Sequence, residues 1–179
     1  MERTQLRFEN IQQVVGSEEL AVIQLTDLAR QRSLSVICDE QMTKQIMSRV
    51  EASPHTPSLL PEALVQLLDA EYEMMVYGVH DGQYQVVLSD TDFNRSVRIR
   101  MSDAVLLNLI AHYPLYIEEQ LMKRQSVPFE KEARGVTIPI NTLDSVRLNT
   151  ALQHAIDDEN YELASQLRDE LNRRKTLKK

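Results

Sequence analysis

Tryptophan is absent, cysteine occurs once, and only four glycines punctuate 179 residues. Each scarcity excludes something. A single cysteine, Cys38, rules out an internal disulfide framework. It closes the alternating run Leu34-Ser35-Val36-Ile37-Cys38 and so reads as a buried strand thiol. Four glycines leave no glycine-rich loop of the kind that cradles phosphates. Aromatic residues make up 5%, so a core must rest on Leu, Val, Ile, Met and Ala. Met42, Met47, Met74 and Met75 accordingly read as core filling. No apolar run approaches the ~20 residues needed to cross a bilayer. The opening stretch MERTQLRFEN has no apolar signal-peptide centre. A soluble cytoplasmic protein with no membrane partner is expected.

What is present is a chain that can bury a core. Hydrophobic residues reach 42%, and the formal charge is −7. That charge is unevenly placed. From Thr142 onward seven acids face seven bases, so the whole deficit lies in residues 1–141. An acidic body repels phosphate backbones, which disfavours general nucleic-acid binding.

Strand-like alternation at 6–15, 19–25 and 33–38 precedes a helix over 40–50, capped by Asp39, with Met42, Ile46, Met47 and Val50 at helical spacing. A turn is expected at Gly16-Ser17, and Ser53-Pro54-His55-Thr56-Pro57 breaks the helix. Pro61 suits the first turn of another, with Leu64, Leu67 and Leu68 on one side. The runs 72–79 and 84–88 flank His80-Asp81-Gly82, a hairpin signal. After a turn at 89–94, Ser96-Val97-Arg98-Ile99-Arg100 alternates cleanly. A helix to about His112 then follows, capped by Ser102, with a short strand at 114–117 and a short helix at 118–124. Residues 125–141, which include Pro128, Gly135 and Pro139, read as a linker, with Val136-Thr137-Ile138 a short edge strand. Without a strict β-α-β rhythm the class is α+β: a mixed or antiparallel sheet with flanking helices, then a C-terminal antiparallel helical hairpin. The division is 1–125 body, 126–141 linker and 142–179 hairpin.

In the hairpin, Leu148, Leu152, Ala155 and Ile156 mark one face of a first helix. Asp157-Asp158-Glu159 oppose its dipole and argue for a stop. Asn160 caps a second helix on which Tyr161, Ala164, Leu167, Arg168 and Leu171 share a face. The stretch Glu159-Asn160-Tyr161-Glu162-Leu163-Ala164-Ser165-Gln166-Leu167-Arg168-Asp169-Glu170-Leu171 resembles the UVR motif of the UvrB and UvrC repair proteins. Its turn, Tyr161-Glu162, Ala164 and Leu167-Arg168-Asp169 carry the likeness. The resemblance implies a protein partner held through Tyr161, Ala164, Leu167, Arg168 and Leu171, and a homo-oligomer. The bland alternative is a hairpin packed on its own domain. Helices this short bury too little alone, so their apolar face must meet something.

The body resembles the bifunctional nuclease domain family, above all at Val97-Arg98-Ile99-Arg100-Met101-Ser102-Asp103-Ala104 and then Pro114-Leu115-Tyr116-Ile117. That family usually reads Ile-Asp-Ala-Arg-Pro-Ser-Asp-Ala at the first of these. Arg98 replaces an Asp and Met101 a Pro, and of the family's upstream Arg-Pro and Thr-His segment only Pro57 survives, near Thr56-Pro57-Ser58-Leu59-Leu60. The resemblance implies Asp103, Ser102 and Arg100 as catalytic candidates, with Asp103 holding Mg²⁺ or Mn²⁺ and Arg100 steadying a phosphate. The structural alternative makes Ser102 a cap and Asp103 a partner of the helix dipole. His55, His80, His112 and His154 are scattered without metal-ligand spacing. Asp90 and Asp92 suit a turn. Ser17, Ser89 and Ser126 lack a nucleophile elbow. The expected function is protein interaction or regulation. The rivals are a metal-dependent DNase or RNase delivered by the hairpin, and a chaperone or protease adaptor.

Overall fold

The computed structural model describes residues 2–13, 20–51, 59–68, 70–92, 94–130 and 140–177. Eight strands form one mixed sheet: β1 (Arg3–Gln13), β2 (Leu20–Asp27), β3 (Arg32–Asp39), β4 (Tyr72–His80), β5 (Gln83–Asp90), β6 (Ser96–Ile99), β7 (Leu115–Glu118) and β8 (Val127–Pro128). Their order is β6-β5-β4-β7-β1-β2-β3-β8. Every pairing is antiparallel except β4 with β7, where Met74, Met75 and Val76 run parallel to Leu115, Tyr116 and Ile117. The helices are α1 (Glu40–Val50), α2 (Leu60–Leu67), α3 (Met101–Ala111), α4 (Glu119–Gln125), α5 (Ser145–Asp157) and α6 (Tyr161–Leu177). The α+β class and the C-terminal helical pair are therefore as the sequence reading has them.

Alternation places Ile23 and Leu25 of β2 and Leu34, Val36 and Cys38 of β3 in one core, which Met42 and Ile46 of α1 and Ala104 and Val105 of α3 complete. Cys38 is 2% exposed, and burial pushes its thiol up from the ordinary value. Its place in the core fits the reading of a buried strand thiol. Asp39 caps α1 by accepting from the Met42 amide at 2.8 Å, and Pro61 lies in the first turn of α2. The three leucines expected on one side of α2, Leu64, Leu67 and Leu68, are however all exposed, and the Arg49–Glu62 ion pair at 2.8 Å ties the helix to α1.

Three expectations need correction. The strand at β1 starts earlier than alternation suggests, because Arg3 to Leu6 pair with β7. Ser102 does not cap α3: the cap position is Arg100, without a side-chain cap bond, and Ser102 is buried in the first turn. The stretch read as a linker begins inside the body. Arg32 Nε donates to Ser126 Oγ at 2.6 Å, Phe129 N donates to Gln31 O at 2.9 Å, and Pro128 sits on the edge strand, where a missing N–H is harmless. The expected features at Gly16-Ser17, at 53–57 and at 136–138 lie outside the described residues.

The hairpin has its own small core of Leu148, Ala155, Ala164, Leu167 and Leu171, separate from that of the body. Its turn is closed by a Schellman motif in which Asn160 N donates to Ala155 O at 2.8 Å and Glu159 N to Ile156 O at 3.0 Å. Glu159, at φ 55°, occupies the left-handed position where glycine is usual. Asn160 then caps α6 by accepting from Leu163 N at 3.2 Å.

Candidate functional site

Of the three body residues singled out by the sequence, Arg100 and Asp103 are in contact, and Ser102 is buried in the first turn of α3. Arg100 ends β6 just as α3 begins. Its Nε and Nη2 grip the two carboxylate oxygens of Asp103 at 2.8 and 3.1 Å, a bidentate pair across one helical turn. The bond to Asp103 raises the guanidinium's pKa further. Arg100 Nη1 also lies 3.8 Å from the Asp39 carboxylate, at the start of α1. Beside them is a recess of about 160 Å³ lined by Cys38, Asp39, Tyr84, Arg100, Ser102 and Arg147. Arg147 comes from the hairpin, so this recess is shared between the two parts of the chain.

These residues do not fit a divalent ion as they stand. The two carboxylates that approach one another both face Arg100, so a cation already occupies the position between them. Mg²⁺ and Mn²⁺ need several oxygen ligands around the ion. Among the described residues no three His, Cys, Asp or Glu side chains are grouped as a metal site. Arg98, at the position of the family's aspartate, is exposed on β6, and Arg95 is exposed just before that strand. Of the upstream segment, Thr56, Pro57 and Ser58 lie outside the described residues, and Leu59 and Leu60 start α2.

The hairpin's five expected contact residues separate into two groups. Ala164, Leu167 and Leu171 are buried against α5 and form the hairpin's own core. Tyr161 is 68% exposed, and the Arg168 side chain is 64% exposed. Among the described residues Arg168 meets only its neighbours, Ser165 at 3.3 Å and Asp169 at 3.8 Å, and has no partner across the hairpin. The reason is angular. Adjacent helical residues stand about 100° apart, so Leu167 facing α5 turns Arg168 to solvent.

A clasp that sequence reading missed joins the hairpin to the body. Arg174, with a side chain 10% exposed, donates through Nε to Glu170 at 2.8 Å, through Nη1 to Asp81 at 3.1 Å and through Nη2 to Asn141 O at 2.9 Å. Ser145 Oγ donates to the same Asp81 carboxylate at 2.5 Å. Burial alone would push the Glu170 carboxyl up, but bonds from Arg173 and Arg174 overcome it and hold it below the usual range. Asp81 and Gly82, at φ 48° and 76°, form a type I′ turn between β4 and β5. A Cβ on Gly82 would lie 2.5 Å from the backbone of Leu143. The turn residue is therefore also a docking residue. The signal available in the sequence was the base-rich run Arg173-Arg174-Lys175, but it equally suits a helix C-terminus, and nothing in the spacing links it to Asp81.

Docking uses the end of the hairpin where α5 begins and α6 finishes. The opposite end, residues 156–163, is exposed throughout, with Ile156 at 46% and Tyr161 at 68%. Asp157, Asp158, Glu159 and Glu162 surround these two apolar side chains in the chain. Between the β4–β5 turn, α4 and α6 there is also a cavity of about 550 Å³. No helix among the described residues is long and apolar enough to cross a membrane.

The family model of the bifunctional nuclease domain matches residues 23–130, and that of the UvrB/UvrC motif matches residues 146–176. No curated protein matches the chain. The two matched segments together fit a role in contacting nucleic acid or protein.

Proposed function

The chain belongs to the bifunctional nuclease domain family and carries a UVR motif after that domain; from this premise we propose that it is an interaction or regulatory protein, holding a protein partner through the free end of its hairpin. The observation that carries this reading is the polarity of the docking. The clasp at Asp81 and Arg174 occupies one end of the hairpin, and the other presents Ile156 and Tyr161 to solvent. Buried aromatic anchors with a polar rim are what protein interfaces use. Ala164, Leu167 and Leu171 support that surface from beneath by keeping the two helices together. The acids around the tip favour a partner with basic residues. They oppose a symmetric hairpin-to-hairpin pair, in which the same acids would meet. Self-association, which the motif also suggests, is therefore expected to strengthen with salt.

The rival nuclease reading is favoured by one observation, the recess that brings Arg100, Ser102, Asp39 and Arg147 together. Against it, Arg100 stands where a metal would have to bridge Asp39 and Asp103. Incubation of single- and double-stranded DNA and RNA with the purified protein in Mg²⁺, Mn²⁺ or EDTA separates the two. The interaction reading expects no metal-dependent cleavage. Cleavage that Asp103→Asn removes would make the chain an enzyme and overturn it.

A further inference from the structure

The cavity of about 550 Å³ beneath the clasp lies within the range of ~300–1,000 Å³ typical of small-molecule sites. Its walls come from both parts of the chain: Tyr77 and Gly78 of β4, Glu118 of β7, Arg124 of α4, and Arg173 and Arg174 of α6. Three carboxylates, of Asp81, Glu118 and Glu170, and three guanidinium groups line it, and two of the guanidinium groups keep donors to spare. Arg174 spends all three nitrogens on Glu170, Asp81 and Asn141 O. Arg173 spends Nε and Nη2 on Glu170, both at 2.8 Å. Arg124 spends only Nε, on Gln120 O at 3.3 Å. Nη1 of Arg173 and both terminal nitrogens of Arg124 have no acceptor among the described residues. Guanidinium groups carry donors and no acceptors, so what they recognise is rich in acceptor oxygens. The formal charges of the cavity nearly cancel. Directed N–H bonds, and not long-range attraction, must therefore select the ligand.

The same lining supplies an aromatic surface. Tyr77 falls where the β4–β5 register slips between Val76 and Gly78, and a bulge of this kind re-aims a side chain. Tyr77 is 43% exposed. The next residue, Gly78, leaves room: a Cβ there would meet nothing within 4 Å. A bare phosphate ion could use the guanidinium groups but would leave the ring and most of the volume unused. We propose that this cavity binds a nucleotide, with its 5′-phosphate on Arg124 and Arg173 and its base against Tyr77. The nucleotide is either free or the end of a strand. Because the walls belong to both the body and the hairpin, the bound nucleotide holds the hairpin in its docked position.

Titration calorimetry on the full chain tests this with AMP, ATP, a short 5′-phosphorylated oligonucleotide, ribose 5-phosphate and inorganic phosphate. Saturable binding of AMP or of the oligonucleotide is expected, and whichever binds tighter identifies the source. Arg124→Gln should weaken it roughly tenfold or more. Tyr77→Ala should weaken it at least about fivefold, and Tyr77→Phe should not, because stacking needs only the ring. Gly78→Val should weaken binding by narrowing the cavity beside Tyr77, while the melting of the unliganded variant stays close to that of the parent. The proposal fails if no nucleotide gives saturable heat. It fails equally if ribose 5-phosphate or phosphate binds as tightly as AMP, or if Gly78→Val and Arg124→Gln bind like the parent chain.

Discussion

Replacing Gly82 by alanine isolates the contact that seats the hairpin on the body. Two costs add. The residue sits at φ 76°, where an L side chain costs roughly 1–2 kcal/mol. The new Cβ would stand 2.5 Å from Leu143 C and O and 2.8 Å from Asp144 N, all backbone atoms that no rotamer change can move aside. Ordinary contact at about 3.5 Å requires the start of the hairpin to retreat by about 1 Å. A shift of that size stretches Ser145 Oγ–Asp81 from 2.5 Å and Arg174–Asp81 from 3.1 Å toward or beyond hydrogen-bond range. Losing the better part of two such bonds adds roughly 1–2 kcal/mol, for about 3 kcal/mol in all. In a chain of this size that lowers the melting temperature by roughly 6–12 °C. Gly82→Asn separates the costs, since asparagine tolerates the left-handed region but keeps the offending Cβ. Gly78→Ala is the control, because its Cβ meets nothing within 4 Å. Thermal melting followed by circular dichroism, with hydrogen exchange read across α5, is the assay. A Gly82→Ala chain that melts with the parent, or a Gly82→Asn chain that recovers fully, would refute the docking argument.

Arg174→Met should cost about 2 kcal/mol and raise exchange in α6 selectively, because it removes the guanidinium bonds to Asp81 and Asn141 O while Arg173 still covers Glu170; unchanged exchange would remove the clasp. Leu167→Asp places a charge where the side chain is 1% exposed and should unfold the hairpin, whereas Arg168→Glu should leave melting unchanged, both read by hydrogen exchange. Acid should undock the hairpin before the body unfolds. Glu170 has a folded pKa below its unfolded one, so its contribution is complete above the ordinary carboxylate range and is lost as pH falls through the lower folded value. Docking that persists unchanged to pH 2, by hydrogen exchange or scattering, would contradict this.

Much of the frame could be read from residue order because local chemistry decides it. Asp39 before Glu40 and the Asp81-Gly82 turn needed no tertiary information, and the α5–α6 turn at Glu159-Asn160 was as local. The strand order was not legible: nothing in the period of 114–117 says that β7 runs parallel to β4 and antiparallel to β1. Pro128 was misleading for the same reason, since a proline on an edge strand and one in a linker look alike along the chain. In the candidate site, the convergence of Arg100 and Asp103 followed from their spacing of three. The approach of Asp39 did not, because it depends on packing between the N-terminal ends of α1 and α3. The hairpin face was legible for Ala164, Leu167 and Leu171. Its cover, the facing helix α5, was legible too, because two antiparallel helices joined by so short a turn must pack together.

The central claim is that the exposed hairpin end, and not Asp103, is what the protein acts through. Quantitative affinity capture from an extract of the source cells addresses it directly. Baits are the parent chain, the double variant Ile156→Asp with Tyr161→Asp, and Asp103→Asn. The double variant changes two exposed positions and should keep the parent's melting temperature. A protein enriched equally by the parent and by Asp103→Asn, and lost with the double variant, is the predicted result. Indistinguishable captured sets for the parent and the double variant, with both baits folded, would contradict the account.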